Sequence, residues 1–115
     1  VSVNNSLIII ITLMNRLILR HFEVLEQFIS DFKRAEALLL IAVGKRQRDK
    51  AEYKMDLVIF NFEIYTSKYP EIYNFFLGKF QDEFKKREEW DRLRSRENFV
   101  PYLKNLMNSV GMQNA

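Results

Sequence analysis

The stretch LIIIITLMNRLILRHFEVLEQFISDFKRAEALLLIAV, residues 7–43, decides the fold class. Leu7, Ile11, Met14, Ile18, Phe22, Leu25, Ile29, Phe32, Ala35, Leu39 and Val43 follow one another in steps of three or four, the repeat of a single helical face. Asn5 or Ser6 can cap such a helix by accepting from an orphan backbone N–H. No Gly or Pro intervenes before Gly44, which is suited to the residue just past a helix end. The spacing predicts one continuous amphipathic helix about 55 Å long, at 1.5 Å per residue. Its ends differ from its middle. Residues 7–19 and 37–43 are apolar on nearly all sides, whereas residues 20–36 alternate between an apolar and a charged face. A helix apolar all round must be covered by something.

Working outward, Lys45 to Lys50 (KRQRDK) reads as a polar connector or a first helical turn. A second helix follows to about Lys68, with two apolar stripes. One is Ala51, Met55, Val58, Phe62 and Tyr65; the other is Tyr53, Leu57, Phe60 and Ile64. Two stripes predict a helix held between two neighbours. A strand at 58–65 is the rival reading, but no second strand is available to pair with it. Pro70 opens a third helix at its first position, with Glu71 favourably placed in the first turn. That helix carries Ile72, Tyr73, Phe76, Phe80 and Phe84. It then becomes strongly charged, with i,i+4 pairs Asp82–Lys86, Glu83–Arg87 and Glu88–Arg92. Asn98 caps a last helix, with Phe99, Leu103, Leu106 and Val110 on one face and Gly111 at its end. The expected fold is therefore all-α: a bundle of about four helices with one long N-terminal helix, forming a single domain over 1–115.

Composition agrees with that class. The chain has 115 residues, 48% of them hydrophobic and 29% charged, which suits one folded domain with a real core. Three Gly and two Pro are too few for a turn-rich all-β protein. Basic and acidic residues balance over 1–44, so the whole net charge of +3 falls in 45–115. A pI near 9.2 permits contact with nucleic acid or anionic lipid without demanding it. The absence of Cys excludes disulfides and thiolate metal sites. The chain starts at Val1, which fits a processed mature form or a fragment and hints at a removed targeting sequence; the expected localisation is organellar or membrane-adjacent. Asn15, Arg16, Arg20 and His21 interrupt the N-terminal apolar run before the roughly 20 residues that a bilayer span requires. A helix lying in a membrane interface, or buried among partner helices, fits better.

Candidate chemistry is sparse. His21 is the only histidine, so no triad with a second His and no His-rich metal site can form within one chain. Neither a catalytic residue nor a cofactor or metal site is expected. Arg16-Leu17-Ile18-Leu19-Arg20-His21 resembles the Arg-x4-His signature of HEPN-type ribonucleases, themselves small helical bundles; the family usually has a polar residue where this chain has Leu17. The resemblance implies an RNA-cleaving role for Arg16 and His21. Glu89-Trp90, Glu97-Asn98-Phe99 and Pro101-Tyr102-Leu103-Lys104, with Pro70-Glu71 and Tyr73-Asn74, are similar to parts of a small helical matrix-side subunit of the mitochondrial cytochrome bc1 complex. That resemblance implies a non-catalytic accessory subunit, and it does not extend to the first 60 residues.

Surface considerations lead to the same expectation. Three shorter helices cannot readily cover so long an apolar first helix, and uncovered apolar area marks an interface. The expected function is that of a non-enzymatic structural or accessory subunit in a larger, membrane-adjacent assembly. Leu7, Ile8, Ile9, Ile10, Ile11, Leu13, Met14 and Leu17 are the expected contacts to other protein subunits or to lipid. Lys45, Arg46, Arg48 and Lys50 are candidate anion contacts, and support the alternative of a nucleic-acid-binding or viral coat-type helical protein. Arg92, Arg94 and Arg96 form a second basic cluster, flanked by Glu88, Glu89, Asp91 and Glu97.

Overall fold

The computed structural model describes residues 16–114, with side chains as far as Ser109. Every regular element among them is a helix, so the all-α class holds. Residues 16–19 are helical and end in a turn at Arg20 and His21. Five helices follow: α1 (Phe22–Ile41), α2 (Gly44–Lys68), α3 (Pro70–Leu77), α4 (Glu83–Leu93) and α5 (Phe99–Asn114). The expectation of about four helices with one long helix at the N-terminus is thus corrected. The stripe from Ile18 to Leu39 faces the core as its spacing predicts, but it runs across a break. α1 has 20 residues and α2, with 25, is the longest described helix.

The break has a long-range cause. At the turn, the His21 N–H donates to the Ile18 carbonyl at 2.9 Å, and the His21 carbonyl accepts from the Leu25 N–H at 2.8 Å. His21 stands in the sparsely populated region between helix and extended structure, with φ −100° and ψ 2°. Its side chain is gripped by Tyr65 and Glu71, far along the chain. No local breaker residue is involved.

α1 and α2 form an antiparallel hairpin, the most extensive helix–helix packing among the described elements. Ala42 and Val43 are extended, and Gly44 has φ +81°, a left-handed conformation that costs a side-chain-bearing residue about 1–2 kcal/mol. The Val43 N–H donates to the Gln47 side-chain oxygen at 2.8 Å, which satisfies one of the backbone groups orphaned at the start of α2. Gly44 therefore reverses the chain directly into α2, and Lys45 to Lys50 are helical. The strand reading of 58–65 falls with this, since those residues are the middle of α2.

Phe62 of α2 is the hub of the core. It is fully buried, with its ring 5.6 Å from Phe28, 5.2 Å from Phe99 and stacked 6.0 Å from Trp90. Leu25, Ile29 and Phe32 of α1, Met55 of α2, and Phe99, Leu103 and Leu106 of α5 close around it. Burying each such aliphatic or aromatic side chain contributes roughly 1.5–3 kcal/mol. Phe99, Leu103 and Leu106 of α5 are buried as their spacing predicts, but the helix continues through Gly111 to Asn114.

The charged third helix is two helices. α3 ends at Leu77, and a Cβ at Gly78 would lie 2.5 Å from the Asn74 carbonyl oxygen to which the Gly78 N–H donates. Asp82 then caps α4 by accepting from the Phe84 N–H at 2.9 Å. Asp82 is therefore a cap and not a partner for Lys86. The i,i+4 pairs give way to i,i+3 pairs: Glu83–Lys86, Glu89–Arg92 and Asp91–Arg94. Phe84 is 73% exposed, so the aromatic series ends before it.

Candidate docking surfaces

Three places in the structure combine chemistry with accessibility or burial in ways that core packing does not explain. The first is the tip of the α1–α2 hairpin. Leu40, Ile41 and Val43 are 84%, 73% and 79% exposed there. Lys45, Arg46, Arg48 and Lys50 follow at once, all exposed. Among the described residues none of these four cations has an ion-pair partner, and α2 has no acidic residue in its first turn. A helix N-terminus already carries partial positive charge, so cations placed there cost a few tenths of a kcal/mol each. Residues that break a local rule without a compensating contact cluster where function requires them.

The Arg92, Arg94 and Arg96 cluster behaves differently. Arg94 bonds Glu63 at 2.6 Å and Asp91 at 2.5 Å, and its guanidinium lies 5.7 Å from the Trp90 ring centre. Arg96 grips both oxygens of Asp56 at 2.8 Å, with Glu52 at 3.7 Å. That bidentate bond, with the Arg96 charge, holds the Asp56 carboxyl below its ordinary range despite partial desolvation. These arginines clamp α4 and the turn after it to α2. Phosphate binding needs cations that are not neutralised locally, which leaves 45–50 as the available cluster.

The second place is the outer face of α2. Ala51, Met55, Phe62 and Thr66 are buried, with Val58 and Tyr65 half-buried beside them. On the opposite face Tyr53, Leu57, Phe60 and Ile64 are 65%, 41%, 55% and 53% exposed. The expectation that both stripes of this helix are covered is corrected: within the described residues only one is.

The third is buried. His21 is 5% exposed; its Nε2 lies 2.7 Å from Glu71 Oε1 and its Nδ1 lies 2.5 Å from the Tyr65 hydroxyl. A carboxylate only accepts, so Nε2–H donates to Glu71, and in the neutral imidazole Nδ1 accepts from Tyr65. Tyr69 packs on the same ring at 5.0 Å. Burial raises the Glu71 carboxyl, but its own backbone amide, His21 and the Arg20 charge outweigh this and hold it below the ordinary range. Burial, Tyr69 and Glu71 push the Tyr65 hydroxyl up. The cluster joins residues 20–21 to the end of α2 and the start of α3. Of the two residues of the Arg-x4-His pattern, Arg16 is exposed and His21 is buried. Sequence reading missed this cluster, because its partners lie 44 and 50 residues away.

Of the expected N-terminal contacts, Leu7, Ile8, Ile9, Ile10, Ile11, Leu13 and Met14 lie outside the described residues, and Leu17 is 39% exposed. Among the described residues no three His, Asp or Glu side chains are grouped to hold a metal ion, and no helix is long and apolar enough to cross a membrane. No protein-family model, curated protein or solved structure matches the chain.

Proposed function

We propose that this protein is a non-enzymatic helical accessory subunit that docks a larger assembly against an anionic membrane surface. The hairpin tip carries the proposal: Leu40, Ile41 and Val43 stand exposed beside Lys45, Arg46, Arg48 and Lys50, which have no ion-pair partner among the described residues. Aliphatic side chains enter the acyl boundary of a bilayer while adjacent cations meet the headgroups. Each basic side chain near such a surface contributes about 1 kcal/mol. The Ile-rich residues 7–14, together with Leu17, provide the second contact in this reading, to lipid or to neighbouring subunits.

The test is co-sedimentation with phosphatidylcholine vesicles prepared with and without phosphatidylglycerol. Binding is expected only with the anionic lipid and falls with salt. Replacing Lys45, Arg46, Arg48 and Lys50 together by Gln lowers affinity by about three orders of magnitude, from four losses of about 1 kcal/mol. Leu40→Asp with Ile41→Asp lowers it further without unfolding the chain, since both side chains are already in water. Equal binding to zwitterionic vesicles, or none to anionic ones, overturns the proposal.

The unpaired cations also favour a second reading, contact with nucleic acid. The same variants separate the two. Nucleic-acid binding would be lost with the four cations and retained in Leu40→Asp with Ile41→Asp, because phosphates gain nothing from exposed aliphatic groups.

A further inference from the structure

The outer face of α2 is independent of the hairpin tip. Tyr53, Leu57, Phe60 and Ile64 are spaced four, three and four residues apart and form a straight apolar strip about 16 Å long. Such spacing is the a/d seam of paired helices. With Leu57 and Ile64 at a, and Tyr53 and Phe60 at d, the residues bordering the strip sort by charge. Asp49, Asp56 and Glu63 occupy the g positions along one edge. Lys54, Asn61 and Lys68 occupy the e positions along the other.

We infer that this face pairs with the same face of a second copy of the chain, the two α2 helices lying side by side and parallel. In a parallel pair each g residue meets the e residue five positions later on the partner helix. Asp49 then meets Lys54, and Glu63 meets Lys68, on both sides of the two-fold axis. An antiparallel pair would set the lysine edge, with Lys54 and Lys68 free of ion pairs among the described residues, against itself, and like charges across a seam oppose association. Asp49 and Lys54 are exposed and have no ion pair among the described residues, so they are available. Glu63 keeps Arg94 on one carboxylate oxygen and presents the other.

Four side chains from each copy bury less than the roughly 1,200–2,000 Å² of a stable interface, so the dimer forms at micromolar concentrations and not below. Sedimentation of the intact chain over a concentration series will show a monomer–dimer equilibrium. Phe60→Asp, at a solvent-exposed position, raises the dissociation constant at least about tenfold while leaving helicity and the melting of the monomer unchanged. Asp49→Lys and Lys54→Asp each weaken the dimer, and the two together restore it, because g and e have exchanged sign. Ser67→Cys, at the next d position in a chain without cysteine, cross-links to itself on oxidation only in the parallel arrangement. A chain monomeric at all concentrations overturns the inference, as does a dimer indifferent to Phe60→Asp or one that fails to cross-link at 67. If the monomer of Phe60→Asp melts early, the strip is covered from within the chain, and the inference also fails.

Discussion

His21 links a helix break to two distant partners, and its removal isolates what that link is worth. His21→Ala deletes both hydrogen bonds and leaves a half-buried Tyr65 hydroxyl and a partly buried Glu71 carboxylate without it. A buried polar group that loses its partner costs about 1–3 kcal/mol, so a total loss of about 2–3 kcal/mol is expected in the unfolding free energy measured with urea. Glu71→Gln, which keeps a carbonyl acceptor for Nε2–H, will cost less than His21→Ala. Core positions were readable one residue at a time: Leu25, Ile29, Phe32, Ala35, Phe62, Phe99 and Leu103 are all buried on the faces that their spacing assigns. The turn at 20–21 was not readable. Neither Arg20 nor His21 breaks a helix by propensity, and the energy that fixes the turn comes from side chains on other elements.

At the scale of elements, cross-helix ion pairs supplement the apolar contacts of α4 with α2. The Asp56–Arg96 pair ties the turn after α4 to α2, and its carboxyl is held below the ordinary aspartate range by the bidentate bond and the Arg96 charge. A carboxyl lowered in the folded state contributes stability at pH values above its unfolded pKa. That stability is lost as pH falls through the folded value, below about 4. Asp56→Asn should therefore reduce stability near neutral pH by under about 1 kcal/mol, because Asp56 is half exposed and screened. The difference from the unsubstituted chain should shrink as pH falls below about 4, as measured by melting across a pH series. Sequence patterning gave the sign and spacing of these charges but paired them along one helix. Arg94 and Arg96 reach back 31 and 40 residues instead, to Glu63 and Asp56, because tertiary packing brings α2 within range. The split between α3 and α4 was half visible, since Gly78 and Asp82 supply a close approach and a cap, yet each is tolerated singly inside a longer helix.

At the scale of the whole molecule, the two proposals meet through the direction of α2. The hairpin tip is the N-terminal end of this helix, and the apolar strip begins at Tyr53, about two turns beyond it. Parallel pairing therefore brings two tips to the same end of the dimer, where both can reach one flat surface; antiparallel pairing would point them apart. Two linked contacts raise apparent affinity by a factor of 10²–10⁴ over one when geometry allows both to engage. Phe60→Asp lies outside the tip and leaves every basic residue of 45–50 in place. It should nonetheless weaken binding to phosphatidylglycerol-containing vesicles by at least about tenfold, provided the protein is present at concentrations where the unsubstituted chain is dimeric. Below that concentration the two proteins should bind alike. A vesicle titration at two protein concentrations makes the comparison. Equal affinities at both would mean that the tip works as a single contact and that the α2 strip has no part in membrane docking.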